Sequence, residues 1–157
     1  MKIVVMFFLS LTVALAASPA WSSQFPEDIP LALEELKLVS PGADDVPGKN
    51  FSGVFVGQWR KPKGAETLNH VLAVEEIGEG ERGTKVMYAF GDQPQWKIKR
   101  GKFRIRGTLK APDQLELKFK DGAVVTYTIQ PDGSLRGAYL FRGETSTGTF
   151  RRIEPSR

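Results

Sequence analysis

The chain has 157 residues, no cysteine, one histidine and a net charge of +4 at pH 7. That length is about one domain's worth, and ten Phe, three Trp and three Tyr can supply its core. Without cysteine there is no disulfide framework, thiol nucleophile or thiolate metal site. A lone His70 leaves little for an imidazole centre, so no metal or cofactor is expected.

Residues 1–20 read as a secretory signal peptide: Lys2, an apolar run from Ile3 to Ala17, then small residues. Cleavage fits after Ala16 or, preferred here, after Ala20. The run is shorter than the roughly 20 apolar residues of a membrane span. Export to a bacterial periplasm or beyond is the expectation, with a core that suffices without disulfides.

Residues 21–50 hold Pro26, Pro30, Pro41 and Pro47. One helical turn is expected behind Asp28 and Pro30, and Ser40 to Gly48 reads as linker. The whole stretch is taken as a flexible leader ahead of a barrel domain at 51–157.

Eight strands are predicted: Phe51 to Arg60, His70 to Ile77, Thr84 to Gly91, Lys102 to Lys110, Gln114 to Phe119, Ala123 to Gln130, Ser134 to Phe141 and Ser146 to Ile153. Several alternate apolar and polar residues at period two, as where Phe103, Ile105 and Leu109 interleave with Lys102, Arg104, Arg106 and Lys110. In the first, Phe51, Phe55 and Trp59 share an inward face with Gly53 and Gly57, glycines that relieve crowding where a strand coils tightly. Asp121-Gly122 predicts a type I′ hairpin turn with positive φ at both residues. The expected fold is all-β, an eight-stranded antiparallel up-and-down barrel, with a two-sheet sandwich as the other architecture these strands permit.

In an up-and-down barrel the links alternate between ends, so the two longest, Lys61 to Asn69 and Asp92 to Gly101, share one end. Function concentrates on long loops held by a rigid scaffold. That end gathers Trp59 and Trp96 with Arg60, Lys61, Lys63, Lys97, Lys99 and Arg100, and an open cavity would add Tyr88, Tyr127 and Tyr139. Aromatic faces beside cations suit a small amphiphilic or anionic ligand. The other reading is a filled barrel in which Trp59 is a plug and Trp96 its cover.

Charge is uneven: residues 21–96 carry 7 basic and 12 acidic side chains, residues 97–157 carry 14 and 6. Lys102, Arg104, Arg106 and Lys110, with Lys97, Lys99 and Arg100 at the mouth, form a candidate face for an anionic glycan, lipid headgroup or acidic protein. Edge protection is the plainer account of the same residues. Export argues against nucleic acid as the partner.

Enzymatic signals are missing. There is no Gly-x-Ser-x-Gly elbow, His-Glu-x-x-His or phosphate-cradling glycine loop. His70 reads as an ordinary strand-start residue, and the adjacent Glu75 and Glu76 should point to opposite faces, which forbids a carboxylate pair. A non-enzymatic binding module is expected, the alternative being a structural or interaction protein that uses its basic face.

The segments Gly57-Gln58-Trp59, Leu72 to Ile77, Val86 to Gly91, Trp96, Thr126-Tyr127-Thr128, Pro131 to Leu135 and Phe150-Arg151-Arg152 resemble, in that order, lipocalin-like (calycin-type) small bacterial barrels. The resemblance spans Phe51 to Ile153. It implies a barrel and permits ligand binding. Past Trp59 the chain reads Arg-Lys-Pro-Lys, unlike the lipocalin and avidin starts, and no catalytic residue carries over.

Overall fold

The computed structural model describes residues 25–42, 46–78 and 80–154. The signal-peptide reading of 1–20 lies outside them. Eight strands run in chain order: β1 (Gly53–Arg60), β2 (Thr67–Glu76), β3 (Thr84–Phe90), β4 (Gly101–Ala111), β5 (Gln114–Lys118), β6 (Val124–Ile129), β7 (Leu135–Phe141) and β8 (Glu144–Ile153). Each pairs antiparallel with the next, and β8 returns to β1 from Val54↔Ile153 to Arg60↔Thr147. That last ladder closes an up-and-down barrel and removes the sandwich alternative. Among the described residues no helix is long and apolar enough to cross a membrane, which says nothing about strands.

Alternation decides what fills the barrel. Phe55, Leu72, Val86, Leu115, Leu117, Val125 and Phe150 point inward and are almost entirely buried. Two glycines admit the large rings: a Cβ at Gly57 would meet Phe150 Cδ1 at 2.6 Å, and one at Gly137 would meet Trp59 Cη2 at 2.5 Å. At the end away from the long loops, the Arg152 guanidinium lies 4.6 Å from the Phe55 ring centroid and donates to the carbonyls of Asn50 and Ser52. The interior of this half is occupied by buried side chains.

The described part of the leader is not a free linker. Val54, Val56, Val71, Ala73, Met87 and Ala89 face outward from β1, β2 and β3, and Ile29 and Leu31 bury them, with Phe25 and Leu36 at the border. Val39 N–H donates to Glu75 O at 2.7 Å and Lys37 N–H to Glu75 Oε1 at 2.9 Å. The leader's expected flexibility is corrected here because two buried aliphatic side chains contribute about 1.5–3 kcal/mol each. Only a 3₁₀ turn, Leu33–Glu35, forms where a helical turn was expected.

Two local expectations also change. Only Gly122 of the Asp121-Gly122 pair has positive φ, at 89°. Gly122 N–H donates to Phe119 O at 3.1 Å, so the turn proper is Phe119 to Gly122, one residue longer than the two-residue form. The two-residue turn with both φ positive falls instead at Arg142 (49°) and Gly143 (81°), between paired Phe141 and Glu144. At Glu75 the β2–β3 register shifts by one residue, a bulge that sets two residues against one. Glu75 and Glu76 therefore both reach outward cations, Arg104 and Lys85, rather than opposite faces.

Candidate functional site: an open aromatic cavity

The end bearing the long loops is hollow. A cavity of about 530 Å³ opens there, within the range of small-molecule sites. Its walls come from inward positions near the strand ends: Tyr88 and Phe90 on β3, Phe103 on β4, Phe119 just past β5, and Tyr139 and Phe141 on β7. Tyr88 stacks on Phe103 at 5.4 Å between centroids and meets Phe119 edge-on at 5.3 Å. Phe103 is 39% exposed, so the aromatic lining reaches solvent.

Trp96 stands on the rim in a 3₁₀ turn, Pro94–Trp96, whose N-cap Gln93 accepts from Gln95 N–H. Gln93 also donates its amide to Thr67 O at 2.6 Å, tying this loop to β2. The Lys61 ammonium lies 5.0 Å from the Trp96 ring centroid, a cation–π contact between the two long loops. Asp121 and Glu144 line the same cavity. Lys61 is the one cation among the lining residues, against Asp121 and Glu144, so the cavity walls do not favour an anion.

The floor is Trp59, 2% exposed, against Phe150 at 4.9 Å and His70 at 5.6 Å. Beneath it His70 is fully buried, with Nδ1 2.7 Å from Ala89 O and Nε2 2.8 Å from the Tyr127 hydroxyl. A carbonyl only accepts, so Nδ1 carries the proton, Nε2 accepts, and the Tyr127 O–H donates. Burial pushes His70 down to about 3, keeping it neutral. Burial likewise raises the Tyr88 and Tyr127 phenols above their ordinary value, so both stay protonated. The Tyr88 hydroxyl lies close to Tyr127 and to Trp59, yet the buried Trp59 Nε1–H closes no hydrogen bond of ordinary geometry with any described group.

Four of the five residues expected at a ligand line this cavity: Trp59, Tyr88, Trp96 and Tyr139. Tyr127 does not, because it lies fully buried below the floor on His70. Sequence reading passed over Phe103, Phe119 and Phe141, whose inward phase next to the mouth-side strand ends was the signal for them. It also took His70 for a strand-start residue, whereas β2 begins three residues earlier and points it into the core.

The β4 cations are exposed, but three of them are already occupied. Lys102 holds Glu35 at 2.5 and 2.6 Å, Arg104 holds Glu75 at 2.9 and 3.0 Å, and Arg106 donates to Arg82 O. Arg104 also donates to Glu35 O at 2.6 Å. The face expected to meet an anionic partner is thus largely turned toward the leader and β2. Lys110 lies exposed at the far end of the strand, and Lys97, Lys99 and Arg100 are exposed on the rim loop, where Arg100 Nε comes within 4.0 Å of Asp92.

Fold and cavity together define a closed eight-stranded antiparallel barrel, packed at one end and hollow at the other. No family model and no curated protein matches the chain. Among solved structures it is similar to a de novo designed fluorescence-activating β-barrel, with TM-score 0.47, 18% identity, and coverage of 68% of this chain and 96% of that one.

Proposed function

We propose that the protein is a non-enzymatic binding module of the lipocalin-like exported kind, and that its ligand is a small, largely apolar molecule held at the Trp59 and Trp96 end. The observation that carries this is the cavity itself. A barrel this narrow can be filled by its own side chains, and here the far half is, while the mouth half leaves about 530 Å³ open between aromatic walls. A chain selected for stability alone would gain by closing such a space. Titration of mature protein with neutral polycyclic aromatic probes, followed by quenching of Trp59 and Trp96, tests the reading. Saturable one-to-one binding that Phe103→Asp abolishes supports it; no saturable binding refutes it.

A second reading, in which the outer wall contacts an acidic polysaccharide, is favoured by one feature away from β4. Arg60, Arg136 and Arg151 line a shallow groove over β1, β8 and β7 with Gln58, Thr147 and Thr149, and the one acidic residue there, Asp132, accepts from Ser134. In register Thr149 sits opposite both Gln58 and Arg136. Among the described residues none of the three guanidiniums has an acidic partner, which leaves them available as forks for carboxylate or sulfate groups. Retention on dextran sulfate that falls with salt and with Arg60→Glu, Arg136→Glu, Arg151→Glu supports this second role. Unchanged retention removes it.

A further inference from the structure

We propose that the mouth end of the barrel is a membrane-docking surface, which sets the open cavity against the headgroups of an anionic bilayer. Docking is a property of the rim and does not depend on which ligand the cavity holds.

Charge separates the two ends. The four links at the mouth, residues 61–66, 91–100, 119–123 and 142–143, carry seven basic and three acidic side chains; the three at the far end, residues 77–83, 112–113 and 130–134, carry one and four. Arg60 and Glu144, at the adjoining strand ends of the mouth, offset each other. All seven mouth-link cations are exposed. Among the described residues Arg100 alone of them has a carboxylate within 4.0 Å, that of Asp92. A net +4 at one end against −3 at the other turns the mouth toward a negative surface.

Backbone conformation marks two of these cations. Among the described residues only Lys97 (57°) and Arg142 (49°) have positive φ without being glycine. That region suits glycine and asparagine, and a long side chain there is uncommon. Both residues are basic and both lie in mouth links, the pattern expected where the charge rather than the turn decides the residue.

A bilayer is favoured over a polysaccharide by what lies between the cations. Lys61 Nζ is 5.0 Å from the Trp96 ring centroid, and the Arg142 guanidinium is 4.9 Å from that of Phe141. Phe103, inside the mouth, is 39% exposed, and Leu140, on β7 beside the Arg142 turn, is 48% exposed. A sulfated or carboxylated glycan would meet the cations and leave these apolar groups wet. At a membrane surface they enter the acyl boundary while the lysine and arginine heads stay among the phosphates, as interfacial tryptophan and basic side chains do. The cavity opens at the same end, so an apolar ligand then passes from bilayer to barrel without crossing water.

Vesicle binding tests this on residues 21–157, which keep every described residue and lack the apolar run from Ile3 to Ala17. Phosphatidylglycerol vesicles are expected to bind at least about tenfold tighter than phosphatidylcholine vesicles at low salt, the preference shrinking as salt rises. Lys97→Glu, Lys99→Glu, Arg100→Glu should weaken binding by about tenfold or more, while Arg136→Glu, Arg151→Glu on the outer wall should not change it. Lipids brominated on the acyl chains should quench tryptophan emission, and Trp96→Phe should reduce that quenching. Equal binding to both vesicle types, or binding that the rim triple change leaves intact, overturns the proposal. So does binding without bromine quenching, which would mean a polyanion held by charge alone. Should the triple variant fail to fold, the salt dependence and quenching of the wild type decide. A neutral aromatic probe is titrated in solution alongside: absence of vesicle binding alone refutes docking and spares the ligand role, and absence of probe binding alone does the reverse.

Discussion

Acid should destabilise this barrel through its one histidine, and the size of the effect can be worked from the floor of the cavity. His70 is fully enclosed by Trp59, Tyr88 and Phe150 and is held down to about 3, whereas an unfolded chain would release it to about 6.5. Between those values the unfolded state binds a proton that the folded state refuses, so stability rises with pH across the window. The contribution is complete above about 6.5 and is lost as pH falls toward 3. At roughly 1.4 kcal/mol per pH unit the total is about 4–5 kcal/mol, a large share of the 5–15 kcal/mol typical of a domain. Urea unfolding at intervals from pH 7 to pH 4 would measure it, against His70→Gln, which keeps an amide able to meet Ala89 O and Tyr127 without titrating. The wild type should lose about 2–3 kcal/mol more than the variant over that range. Parallel pH dependence of the two, or a histidine resonance in native protein that titrates near 6.5, would refute the burial argument.

Other outcomes follow from the same contacts. Removing residues 21–49 should cost several kcal/mol and promote self-association, because it strips Ile29 and Leu31 from six outward apolar residues of β1, β2 and β3; urea midpoints and light scattering check it. Lys102→Glu, Arg104→Glu, Arg106→Glu should lower stability rather than spare it, since Lys102 and Arg104 hold Glu35 and Glu75; a thermal midpoint equal to the parent's would return the stripe to solvent. Gly137→Ala should cost about 1–3 kcal/mol and shift Trp59 emission, because its Cβ would press on the Trp59 and Phe150 rings. Gly122→Val meets open space at φ 89°, so only backbone strain of about 1 kcal/mol is expected by chemical denaturation.

Strand number, antiparallel order and the mouth were legible because they depend on local signals: period-two alternation, turn residues and link length. What escaped depended on a second layer. In Val54-Phe55-Val56, Val71 to Val74 and Val86 to Ala89 the alternation lapses into continuous apolar runs, the pattern of strands buried on both faces. Those runs announced a cover over β1, β2 and β3, and Pro30-Leu31 with Ile29 before it was the segment available to supply it. The β4 cations misled for a related reason. Their alternation fixes which face they occupy, but nothing in β4 says that Glu35, 67 residues away in sequence from Lys102, lies over that face. The buried floor was hidden too, since a histidine on an inward phase looks the same in sequence whether its partner is a carbonyl, a tyrosine or water.

The leader also reaches the mouth, and this gives the cavity a dependence on a residue that never touches it. Asp28 accepts from Asn69 Nδ2 at 2.9 Å and from Asp92 N–H at 3.2 Å. It presses so closely on Gly91 that a Cβ there would lie 1.8 Å from its carboxylate. Asp92 in turn accepts from Arg100 N–H at 2.9 Å, and Gln93 pairs with Ile98. One carboxylate therefore anchors both ends of the loop that carries Trp96, the first end directly and the second through Asp92. Asp28→Ala removes two charge-assisted hydrogen bonds, about 1.5–3 kcal/mol each where the group is half-buried, and leaves the aromatic walls unchanged. Amide hydrogen exchange should quicken across residues 91–100 and stay as in the parent across β5 to β7, while affinity for a neutral polycyclic aromatic probe drops through loss of the ordered rim. Unchanged protection in that loop would show that Gln93 and its bond to Thr67 position Trp96 without help from the leader.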